Sequence, residues 1–245
     1  MKNYFLKATI FVMPLLFCWL LIILIDPYNI FNVNWIIDKE TKFKNLNNTY
    51  ERGAIGYMLW KKLEFERNPS RNLIIGDSQA CHVDENLVSD LYRSNFINMS
   101  VPGANLETKF GIFWSAARQV ALEHVIIQLS FMNLNIKTNL FQSTQDYIDK
   151  PYLFLVDGNI CRDTYNLITY IFTKNNNQKN SGVAFPSTVE KNRLFDVQQE
   201  KVFRNYTYPA HYYPELKRIV DYCNTNNITL EFVVFPIQQR YFDFL

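Results

Sequence analysis

The chain carries almost no excess charge: 25 Lys and Arg stand against 23 Asp and Glu, a formal net charge of +2. Binding to a phosphate backbone rests on many neutralising cations, so this balance argues against a nucleic-acid partner. Cysteine is scarce too. Cys18, Cys81, Cys161 and Cys223 form no C-x-x-C pair and no His-rich zinc spacing, which leaves neither a metal motif nor a redox motif. Internal repeats and low-complexity tracts are absent, so fibrous classes are excluded. Glycine is held to 7 of 245 residues, and each is therefore expected where the backbone demands it, Gly76 and Gly103 above all. Against these shortages, hydrophobic residues reach 48%, enough for one folded domain and too apolar for a disordered chain.

The longest apolar run is Ala8 to Ile25, about eighteen residues without a charge, against the roughly 20 that cross a hydrocarbon core as a helix. A cleaved signal is one reading. An uncleaved single-pass anchor is the preferred one, because the run exceeds a signal h-region and leads into Asp26-Pro27-Tyr28 without a small-x-small site. With the basic flank of Lys2 and Lys7 held in the cytoplasm by the positive-inside bias, the expectation is a protein of the cytoplasmic membrane with its globular part on the extracytoplasmic side.

Three segments follow: a cytoplasmic tip and transmembrane anchor at 1–25, a juxtamembrane linker and helix at 26–70, and an α/β domain at 71–245. In the second, Ile55, Leu59 and Leu63 recur at four-residue steps and end ahead of Asn68-Pro69, which predicts an amphipathic helix. In the third, short apolar runs at Leu73–Ile75, Phe96–Met99, Val125–Leu129 and Thr229–Phe235 alternate with helical stretches at Glu85–Tyr92, Leu106–Leu122 and Pro214–Asn226. That alternation predicts a doubly wound parallel sheet, flavodoxin-like, in three layers. Residues from about 131 to 209 are Asn-, Gln- and Tyr-rich and read as a long insertion between the third and fourth strands.

Chemistry concentrates at two strand ends. Asn72-Leu-Ile-Ile-Gly-Asp-Ser78 stops a buried strand at Gly76 and presents Ser78 just before a helix, at the sheet edge where open α/β folds bind ligands and helix amides meet negative charge. A helix cap at Asp77 or Ser78 would explain that triplet equally well. Phe96-Ile-Asn-Met-Ser-Val-Pro-Gly-Ala-Asn105 repeats the arrangement with a Pro-Gly turn.

Together, Gly76-Asp77-Ser78 and Asn98-Met-Ser-Val-Pro-Gly103 resemble the first two blocks of the SGNH (GDSL-type) hydrolases, and the apolar N-terminus resembles their membrane-anchored, cell-envelope branch. The resemblance implies Ser78 as nucleophile, with Gly76 and Asp77 supporting it, and the amides of Ser78 and Gly103 in an oxyanion hole. A third oxyanion donor would be Asn133, in Ser130-Phe-Met-Asn133, although an ordinary loop Asn is an equal reading; Asn105 is the fallback. The family's base is a His with Asp three residues earlier near the chain's end. Here Gln79, Ala121 and Tyr208 stand three residues before His82, His124 and His211, so no such pair exists and each histidine reads as packed or exposed. The expectation is a domain lacking its fifth strand and Asp-x-x-His block beyond Leu245, inactive without them. The implied function is a serine esterase or O-acyltransferase on acylated cell-envelope glycans, needing no metal or cofactor. The alternative is a non-catalytic envelope protein that keeps the fold to bind glycan or an assembly partner; no protein partner is identified.

Overall fold

The computed structural model describes residues 2–46, 53–130, 140–173 and 210–235. In chain order its elements are α1 (Lys2–Ile25), α2 (Lys39–Leu46), α3 (Gly53–Arg67), β1 (Asn72–Ile75), a 3-10 turn (Ala80–His82), α4 (Glu85–Tyr92), β2 (Phe96–Asn98), α5 (Leu106–Gln119), β3 (His124–Leu129), α6 (Leu140–Asp149), α7 (Tyr152–Val156), α8 (Gly158–Thr173), a second 3-10 turn (Ala210–Tyr212), α9 (Tyr213–Thr225) and β4 (Thr229–Val234). The chain divides into two units, Met1–Leu63 with Ser143–Ser181, and Glu64–Gln142 with Gly182–Leu245.

The first unit is helical. Ile22 of α1, Tyr28, Leu59, Trp60 and Leu63 of α3, Phe154 of α7 and Ile160 of α8 form one buried cluster, and Ile25, Ile37 and Leu167 form a second. The transmembrane reading of 8–25 is overturned here: among the described residues no helix is long and apolar enough to cross a membrane. From Cys18 onward α1 is drawn into these clusters, with Ile22 1% and Ile25 5% exposed. Between Lys7 and Cys18 there remains a stretch of about 15 Å at 1.5 Å per residue, half of the roughly 30 Å of hydrocarbon. An apolar period reports burial without saying whether lipid or protein does the covering. The membrane anchor, and the localisation that rested on it, therefore fall.

The second unit is built on a parallel sheet in the order β2-β1-β3-β4. Asn72 pairs with Phe96 on one side and His124 on the other, and His124 pairs with Thr229. All four residues of β1 are buried, as a strand covered on both faces requires. This order is that of the first four strands of a flavodoxin-like sheet. The connection from β1 to β2 steps one way and the next two step the other, so right-handed crossovers place α4 on one face and α5 with α9 on the other. The ring contacts agree: Phe113 and Trp114 of α5 meet Tyr222 of α9 at 6.0 and 5.2 Å, and Phe110 meets Tyr212 at 5.9 Å. The direction of crossover reverses at β1, so the carboxyl ends of β1 and β3 form the switch point of the sheet, the place where such sheets take ligands.

Candidate functional site

β1 ends against a shaped turn. Gly76 is the only residue type that fits, because a Cβ there would lie 2.3 Å from Ala80 Cβ and 2.7 Å from Gln128 Oε1. Asp77 turns inward and is 2% exposed. Its amide donates to Gln128 Oε1 at 2.8 Å, and its Oδ1 accepts the Gln79 amide at 3.0 Å, an Asx-type closure of the turn. Its Oδ2 faces Lys109 Nζ at 3.5 Å, and that ammonium also donates to the Gln128 carbonyl at 2.8 Å. Lys109 is fully buried, and the loss of solvent lowers its pKa, with Asp77 pulling it partly back. Ser78 is the first exposed residue beyond the turn.

The loop after β2 is stitched to this turn. Met99 N–H donates to Ile74 O at 2.8 Å and Val101 N–H to Gly76 O at 3.1 Å, so pairing continues past the strands themselves. Asn98 braces the segment after Ser78: its Nδ2 donates to Ala80 O at 2.9 Å and Val83 O at 3.0 Å, and its Oδ1 accepts Ser100 N–H. Gly103 is exposed and sits at φ +74 with open space where a Cβ would be, a left-handed position that favours glycine. Asn105 caps α5, its Oδ1 accepting the Thr108 amide at 2.8 Å and hydroxyl at 2.7 Å, and it is fully buried. Among the described residues, neither the Ser78 amide, the Gly103 amide nor Ser78 Oγ is engaged in a hydrogen bond. Two free N–H groups and one free hydroxyl thus sit on two loops tied together at Val101.

The structure departs from expectation at the next step. Ser78 does not directly precede a helix: a single 3-10 turn follows, and α4 begins at Glu85, where its helical stretch was expected, capped by Asp84 Oδ1 on the Asn86 amide. The full helix dipole therefore is not aimed at Ser78, because a one-turn 3-10 segment aligns too few peptide units. Asn133 lies outside the described residues. The histidines disperse. His124 stands at the amino edge of the sheet, its Nε2 2.6 Å from Glu231 Oε1 and its ring edge-on to Tyr92 and Phe96. His82 is exposed within the turn after Ser78, and exposed His211 stacks beside Tyr212 ahead of α9, on the carboxyl side.

Lys109 and Gln128 were not singled out from the sequence. The signal was present: Lys109 lies three, four and seven residues before the buried Ile112, Phe113 and Ala116, a cation on an apolar stripe. Gln128 likewise interrupts the apolar run of β3. Among the described residues no cluster of His, Cys, Asp or Glu could hold a metal ion. No family model matches the chain, and no curated protein or solved structure matches it.

Proposed function

We propose that this chain is a serine esterase or O-acyltransferase of the SGNH type, with Ser78 as nucleophile and acyl esters on a glycan as substrate. The observation that carries the reading is the pairing of an exposed, unbonded Ser78 hydroxyl with the uncommitted amides of Ser78 and Gly103 at the carboxyl edge of β1. In this reading Ser78 Oγ attacks the ester carbonyl and its proton passes to a base. The two amides receive the tetrahedral oxyanion, and the alcohol leaves with a proton. Water or a second hydroxyl then takes the acyl group from Ser78. The glycan class rests on the family resemblance of the two sequence blocks.

The base is the open position. Lys109 does not fill it, because it is buried beneath Asp77 while Ser78 faces outward, and a base must reach the hydroxyl it deprotonates. His82 and His211 are the two described histidines on the carboxyl side of the sheet. The dispersal of the histidines favours a second reading, a binding protein that keeps the switch point without the chemistry.

The test is turnover of a p-nitrophenyl acyl ester and of an O-acetylated oligosaccharide by the wild type, Ser78→Ala, His82→Ala and His211→Ala. Loss of turnover in Ser78→Ala alone supports the esterase with a base elsewhere, and loss in one histidine variant names the base. Equal turnover in wild type and Ser78→Ala rules the reading out, and binding of the oligosaccharide without turnover supports the second.

A further inference from the structure

We infer that Lys109 is a positioning residue for Ser78: its buried ammonium joins the ends of β1 and β3 and locks the turn that aims the serine outward. The inference rests on the esterase reading for its purpose, though not for its geometry. A buried lysine paired with a carboxylate is a costly way to fill space, since an apolar pair of similar volume commonly serves stability as well or better. The position of this pair explains what the extra cost secures.

Lys109 Nζ touches Asp77, the residue immediately before Ser78, at 3.5 Å, and the Gln128 carbonyl at the end of β3 at 2.8 Å. The lysine itself rides on α5, whose cap Asn105 follows Gly103 by two residues. One ammonium therefore couples the three loops at the carboxyl edge: the Ser78 turn, the end of β3 and the Gly103 loop. Gln128 completes the clamp from its side chain, accepting the Asp77 amide at Oε1 and donating from Nε2 to Gln79 Oε1 at 3.0 Å. With Asp77 pinned inward on both carboxylate oxygens, the next side chain is turned toward solvent, where Ser78 is found. Without Lys109 the buried Asp77 carboxylate would lose the cation beside its Oδ2. It would swing toward water and carry the Ser78 amide and hydroxyl with it, away from the turn that Gly76 and Val101 tie to the second loop.

The experiment measures the rate at which a fluorophosphonate labels Ser78, read by intact mass. In that reaction Ser78 Oγ bonds to phosphorus, the P–F bond breaks, and fluoride and the serine proton depart. Wild type, Ser78→Ala, Lys109→Met and the double variant Asp77→Asn/Lys109→Met are compared, with thermal unfolding and amide hydrogen exchange on each. Lys109→Met is expected to unfold at lower temperature and to label slowly. The double variant removes both charges together, so it is expected to regain most of the lost unfolding temperature yet to label about tenfold or more slowly than wild type, because the serine is misplaced. A double variant that is refolded and labels at the wild-type rate would make the pair merely structural and overturn the inference. If wild type is no more labelled than Ser78→Ala, the esterase reading fails. The turn-locking role is then decided by exchange: faster exchange of the Asp77 and Gln79 amides in the double variant upholds it, and unchanged protection overturns it.

Discussion

Two aspartates in the two units do the same local work for different ends. Asp26 follows the apolar run of α1, and Asp77 follows the apolar strand β1. Both are buried, both close a turn by accepting backbone amides, and each has a buried lysine from a later helix beside it. Asp26 accepts from Ile30 at 2.7 Å, Phe31 at 3.0 Å and Val33 at 3.1 Å, while Lys42 donates to the Val33 carbonyl and to Asn34 Oδ1. What differs is the residue that comes next. After Asp26, Pro27, Tyr28 and Asn29 are buried, and Tyr28 donates its hydroxyl to Asp163 of α8. After Asp77, Ser78 and Gln79 are exposed. The same clamp folds one chain segment into a core and holds the other out at a sheet edge, so what the clamp achieves depends on the residue that follows it.

The largest expected effect breaks both clamps. Asp77→Ala leaves Lys109 buried with a single carbonyl partner, and a buried charge stripped of its counterion costs about 3–5 kcal/mol. Asp26→Ala takes the carboxylate away from three amides but leaves Lys42 two oxygen partners, for a loss of about 2–4 kcal/mol. Chemical denaturation of the two variants beside wild type measures both. An Asp77→Ala protein within about 1 kcal/mol of wild type would show that Lys109 finds another partner and that the two clamps are not alike.

Much of the sheet unit was legible. The four apolar runs lie where the strands form, and α4 spans the predicted Glu85–Tyr92, because a strand flanked by turn residues carries its own signal. The Pro-Gly turn was legible for the same reason, since Gly103 at φ +74 needs glycine wherever it folds. The clamps were not. A lysine 32 residues from its aspartate leaves no local pattern, and only the interruption of the α5 stripe hinted at it. The apolar run of α1 misled because its hydrophobic content is the same whether α8 and α3 cover it or lipid does, and contacts with Leu59 and Ile160 exist only once the chain is folded. The segment after Ser78 misled more mildly. Ser78 was expected just before a helix, and the 3-10 turn Ala80–His82 that stands between it and the Asp84-capped α4 carries no apolar period to announce it.

A smaller effect separates the two glycines of the site. Gly76→Ala drives a Cβ into Ala80 and the Gln128 side chain, and since Gln128 is also half of the Asp77 clamp, the expected loss is about 3 kcal/mol, the upper range for overpacking. Gly103→Ala meets no atom within 4 Å and suffers only its φ of +74, a strain of about 1 kcal/mol. Thermal unfolding should therefore rank Gly76→Ala well below Gly103→Ala. The reverse order would mean that the turn after β1 yields and is not clamped.

The smallest effect reads the charge on the first clamp. Burial raises the pKa of Asp26 above the ordinary carboxylate value of 3.8, against the lowering by the Val33 amide, the Lys42 charge and the Phe31 and Ile30 amides. Between 3.8 and the raised value the folded chain holds a proton that the unfolded chain has released. The sign follows from linkage: the contribution of Asp26 is whole below the unfolded value and is lost as pH rises through the folded one. In Asp26→Asn this titration is gone while the other groups remain, so their pH dependence cancels in the difference. Urea unfolding of both proteins from roughly pH 3.5 to 7, a range that brackets the carboxylate titration, should show wild type losing ground to Asp26→Asn as pH rises, with most of the change at the acid end. A difference that stays flat, or that grows in favour of wild type, would mean that the three amides and Lys42 outweigh burial. Asp26 would then be a net stabilising charge, unlike an aspartate whose burial is tolerated for the turn it closes.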